Sequence, residues 1–113
     1  MALDIDKLIK NLNNFDPDEA TDKVIDTSNE LLIAENDLKV ARAVVFIREK
    51  NAEGKPTDKL VEAKVESDEN VKLKTNEVIR TEGNYLSAKL KREDLYEKYQ
   101  RDKKIADLNK VSF

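Results

Sequence analysis

The chain has 113 residues, 40% of them charged and 39% hydrophobic, with a formal net charge of −3, two Gly, two Pro, no Cys and no His. That length holds one domain at most, and so many charged residues with so few Gly and Pro suit long helices rather than strands and turns, so an all-α chain is expected. Without Cys or His there are no disulfides, no thiolate metal sites and neither the commonest general base nor the commonest transition-metal ligand, so no metal and no cofactor is expected.

Residues 1–15 begin the chain as a short amphipathic helix, with Leu3, Ile5, Leu8, Ile9 and Leu12 recurring before Phe15 and with Asp4 or Asp6 placed to cap it. So short a helix is unstable alone in water and has to dock, either on an apolar segment further along this chain, Ala43 to Ile47 being the candidate, or on a partner. Its opening Met-Ala-Leu-Asp lacks a basic stretch followed by a long apolar one, and no apolar run in the chain exceeds five residues. Neither a signal peptide nor a membrane span is expected, and a cytoplasmic protein is.

A long helix is predicted over 17–53. Asp16-Pro17-Asp18-Glu19 starts it: Asp16 can accept from free backbone N–H groups, Pro17 suits the first helical position and Glu19 stands where a capping box needs it. The acids that follow suit the positive end of the helix dipole, and they lack the glycine turn and ligand spacing of a calcium loop. Ala20, Val24, Thr27, Leu31, Ala34, Leu38, Ala41 and Val45 recur at spacings of three and four and form one seam for a partner helix. Ile33, Val40, Val44 and Ile47 lie off that seam, and Ala43 to Ile47 is apolar on every face, so one neighbouring helix does not cover it.

Residues 54–57 form a turn, in which Gly54 can take a left-handed conformation, Pro56 cannot continue the helix and Thr57 can cap the next. A short helix is predicted over 57–66, then a break with Ser67 or Asp68 as cap, then a second long helix over 68–110. In that helix Val71, Thr75, Val78, Tyr85, Ala88, Leu95 and Tyr99 form a stripe flanked by Ile79, Leu86 and Leu90. Gly83 interrupts it, which implies either a bend or a close approach to the backbone. The architecture expected is a long antiparallel helical hairpin, coiled-coil-like, with a short N-terminal helix and a broken second arm. Pairing about the turn sets residue i opposite roughly 111 minus i, with Leu31 and Leu38 near Ile79 and Leu73.

Charge divides along the chain: Met1 to Asn70 holds ten Lys or Arg against seventeen Asp or Glu, and Val71 to Phe113 holds eleven against seven. One reading is an acidic helix lying beside a basic one. The other is a basic arm for nucleic acid, with Lys89, Lys91, Arg92, Lys98, Arg101, Lys103 and Lys104 as candidate contacts and Tyr96 and Tyr99 among them. Five interleaved acids lower the net charge of that segment, and packing of the two tyrosines is the simpler role. Carboxylates on long charged helices, with no His or Cys to pair them, do not assemble an acid–base site, so an enzyme is not expected. A binding protein is expected, self-associating as a homodimer or larger oligomer, with Val40, Val44, Phe46 and Ile47 as the residues that carry protein interaction.

The stretch Ala41 to Val71, ARAVVFIREKNAEGKPTDKLVEAKVESDENV, resembles small helical proteins encoded by phages and prophages of Gram-positive bacteria. In these a long Ala-rich helix ends in a Gly-containing turn, followed by a Thr-led segment and an acidic restart. The resemblance implies a phage-encoded accessory or inhibitory factor working in the host cytoplasm, near replication, recombination or host interference. It carries over no site residues. The helical-hairpin secretion substrates of the WXG type share the length and the hairpin, but this chain has no Trp.

Overall fold

The computed structural model describes residues 3–113, so the first two residues of the helix expected over 1–15 lie outside the described residues. Four helices follow in order, α1 (Ile5–Asn13), α2 (Asp18–Lys50), α3 (Asp58–Ser67) and α4 (Glu69–Leu108), and no strand occurs among the described residues. The fold is all-α, a helical hairpin of α2 and α4 with a short helix ahead of it and α3 as the separate start of the second arm.

Local chemistry sets each boundary. Asp4 caps α1, its Oδ1 accepting from the Lys7 N–H at 3.0 Å, and Asp16 Oδ1 accepts from the Asp18 N–H at 3.0 Å as α2 begins. α2 stops at Lys50, three residues short of the expected 53, where Asn51 to Lys55 turn the chain with Gly54 at φ +90° and Lys55 at φ +46°. Thr57 Oγ1 then accepts from the Leu60 N–H at 3.3 Å and starts α3. Asp68 both ends α3 and begins α4: its N–H donates to the Val65 carbonyl at 3.3 Å, and its Oδ1 accepts from the Val71 N–H at 3.0 Å. The break is therefore real, because one residue in extended conformation (φ −65°, ψ 131°) serves two helix ends.

Contacts divide the chain into two compact units, Met1–Ile25 with Leu86–Phe113 and Asp26–Tyr85. In the first, Leu8 and Leu12 of α1 are buried with Ala106 of α4, and Tyr99 and Val111 pack against them. Phe15 stacks on Tyr99 with ring centroids 4.1 Å apart and meets Tyr96 edge-on at 5.4 Å. This corrects the expectation that the N-terminal helix docks on Ala43 to Ile47. Residues 14–17 are too short a connector for that, since α2 runs about 40 Å from Asp18 to Val45. Arg92 Nε donates to Thr21 Oγ1 at 3.0 Å and ties α4 to α2 in the same unit.

In the second unit Ala41, Val45, Val61, Val65 and Val71 make one buried cluster with Leu38 against it, so α2, α3 and α4 each contribute. The seam predicted on α2 is the seam observed, for Thr27, Ala34, Ala41 and Val45 are buried and Leu31 and Leu38 half-buried. On α4, Val71 and Thr81 are buried while Thr75, Val78 and Tyr85 are half-buried. The Thr81 hydroxyl donates to the Glu77 and Val78 carbonyls at 2.9 and 3.1 Å, so burying it strands no donor.

The antiparallel register is near that expected, with Thr21 beside Arg92 in one unit and Leu38 beside the cluster holding Val71 in the other. The face is not: Leu73 and Ile79 are exposed and do not cover Leu31 and Leu38. Leu73 and Ile79 each stand two residues from a buried position, Val71 and Thr81, and at 100° per residue that turns them to the other side of α4. Gly83 causes no interruption of α4, and a Cβ built there meets nothing within 4 Å, so close packing within the chain is not its reason.

Candidate interaction surface

Two turns of α2 near its C-terminal end present an apolar face that the chain leaves uncovered. Val40 is 53% exposed, Val44 57%, Phe46 37% and Ile47 60%, and Ile33, seven residues before Val40, is 63% exposed. The same helix buries Ala41 and Val45, about 100° round from that face. At 3.6 residues per turn, 33, 40, 44 and 47 share one outer face, whereas Phe46 points round toward α3.

Between α2 and α3 lies a groove of about 480 Å³ lined by Arg42, Ala43, Phe46, Ile47, Glu62 and Val65. Burial of Val61 and Val65 holds α3 in place beside it. Ion pairs brace the same end: Arg42 with Glu66, Lys50 with Asp58, Lys64 with Glu49 at 3.2 Å and Arg48 with Asp68 at 3.2 Å. All are surface pairs, worth little singly, and together they favour one orientation of α3. The expected contact of an acidic helix with a basic one is thus made here mostly in the opposite sense: Arg42, Arg48 and Lys50 of α2 meet acids of α3 and of the α4 cap, and only Lys64 with Glu49 runs the other way.

The Val71 N–H above all, then the Arg48 guanidinium, holds the Asp68 carboxyl below its ordinary value, against an opposing effect of burial that ranks between the two. Glu77 is likewise lowered, chiefly by its hydrogen bond from Arg80, whose Nε lies 3.0 Å from Oε2. Arg80 is raised in turn by Glu77 and, more weakly, by the charge of Glu30 on α2. These shifts belong to helix capping and surface pairing, not to a reactive centre.

The candidate nucleic-acid contacts all lie on the α4 segment of the other unit. Lys89, Lys91, Lys98, Arg101, Lys103 and Lys104 are exposed, but helical spacing distributes them round the helix instead of along one stripe. Arg92 is half-buried, hydrogen-bonded to Thr21 and lying 5.2 Å from the centre of the Tyr96 ring. Tyr96 and Tyr99 are half-buried and occupied with Phe15. The structural roles of Thr81, Ala106 and Arg92 had no local signal: each depends on what another helix places opposite. No helix among the described residues is long and apolar enough to cross a membrane. Compared with family models, with curated proteins and with solved structures, the chain matches none of them.

Proposed function

We propose that this chain is a non-enzymatic interaction module that binds protein through the outer face of α2 and the adjoining α2–α3 groove. The observation that carries the reading is the concentration of Val40, Val44 and Ile47, each more than half exposed, beside a groove whose walls are fixed by a buried cluster and a set of ion pairs. Isolated exposed apolar side chains are ordinary, but a contiguous face next to a formed groove is the pattern of a docking site. The resemblance at Ala41 to Val71 covers this same region and supplies the setting, a phage-encoded accessory or inhibitory factor acting in the host cytoplasm.

The test compares the intact chain with a Val44→Glu, Ile47→Glu variant, both immobilised and exposed to bacterial lysate. A protein retained by the first and lost from the second supports the reading; equal retention refutes it. Six exposed cations on α4 favour a second reading, nucleic-acid binding in replication or recombination. Binding to a duplex or single strand that weakens steeply with salt supports it, and no binding at low salt removes it.

A further inference from the structure

We infer that the occupant of the α2 outer face is a second copy of the same face, paired antiparallel. This rests on the reading of that face as a protein-binding surface and names its partner. Ile33, Val40 and Ile47 stand seven residues apart, Asn29, Asn36 and Ala43 stand four residues before them, and all lie on the side of α2 away from the buried seam. A seven-residue apolar repeat on a free helical face is the geometry of a two-helix seam, and Asn within such a seam selects orientation and register.

Charge selects the second copy and its direction. From Asp26 to Leu38, α2 carries four acids and no cation, whereas from Lys39 to Lys50 it carries four cations and one acid. A parallel pair sets Asp26, Glu30 and Asp37 of one copy beside the same residues of the other. An antiparallel pair crossing between Leu38 and Val40 sets each acidic half against a basic half, as opposite charges flanking an apolar seam do when they fix helix direction. Arg42, Arg48 and Lys50 already meet Glu66, Asp68 and Asp58 of their own chain at exposed positions, so their contribution is to direction and not chiefly to affinity. The same crossing brings Ile33 of one copy within a turn of Ile47 of the other and places the bulk of Val40 at the centre.

The chain contains no cysteine, so single substitutions report cleanly. Ile33→Cys and Ile47→Cys chains, differently tagged and mixed, are treated with a short bismaleimide, while light scattering gives the mass of the unmodified chain. The expected result is a mixed 33–47 product in large excess over either homotypic product, because antiparallel pairing separates like positions by about 20 Å along the axis. The mass is expected at twice 13.0 kDa and to return to 13.0 kDa in Val40→Glu, whose helicity by circular dichroism stays that of the parent. Predominant homotypic products overturn the antiparallel pairing. A 13.0 kDa particle without crosslinks at tens of micromolar overturns self-pairing altogether. In that case the lysate comparison still decides the protein-binding reading, since a protein captured through Val44 and Ile47 keeps it standing without a second copy.

Discussion

Replacing each glycine with alanine should move stability in opposite directions. Gly83 lies inside α4 with nothing within 4 Å of a built Cβ, so Gly83→Ala adds a methyl group in open space. The helix then gains about 1 kcal/mol, much of it from fewer conformations in the unfolded chain. Gly54 has φ +90°, where a side chain clashes with its own backbone at a cost of roughly 1 to 2 kcal/mol. Reduced freedom in the unfolded chain offsets about half of that, leaving a net loss near 1 kcal/mol. The two variants should therefore differ by about 2 kcal/mol, or a urea midpoint separation of about 1 M for a slope near 2 kcal/mol per molar. Urea unfolding followed by circular dichroism, at a concentration low enough to keep the chain monomeric, measures this directly. A Gly83→Ala variant less stable than the parent refutes the reasoning, for it requires an unseen neighbour against that backbone.

Val61→Ala removes two buried methyl groups from the α2–α3–α4 cluster and should cost about 2 kcal/mol from lost burial and the cavity left behind. Leu73→Ala, at an exposed position, should stay within about 0.5 kcal/mol, and equal losses in urea unfolding would mean that α3 is not docked. The folded state lowers the Asp68 carboxyl below its ordinary 3.8, so its contribution to stability is complete above that value and is lost as pH falls through the folded value. Asp68→Asn retains the oxygen that caps α4 but not the charge. Its melting temperature, followed from neutral to strongly acid pH, should therefore fall less than the parent's, and parallel acid limbs would contradict the assignment.

Much of the fold is legible in the sequence because its determinants are local. The three-and-four spacing from Ala20 to Val45 needs only helical geometry to become a seam, and Asp4, Asp16, Thr57 and Asp68 mark helix starts by hydrogen-bonding their own neighbours. Pairing register alone misplaced Leu73 and Ile79, because it fixes height along α4 and not the face: each stands two residues from a buried position, Val71 or Thr81, and so about 200° round the helix. Docking of α1 on Ala106 and Tyr99 is a matter of reach along the chain, a constraint that apolar matching alone ignores. The outer-face residues were legible by subtraction, as apolar positions left over once the seam was filled. Arg92 was not, since its role comes from Thr21, 71 residues earlier.

Twelve residues are buried among those described, and all of them are Ala, Val, Leu or Thr. So few positions, filled by such common residues, place a light demand on inheritance. Substitutions elsewhere on exposed helix surface change stability by about half a kcal/mol or less. A lineage descending from this chain can thus rewrite most of its exterior, including the exposed face of α2, while passing on the same four helices.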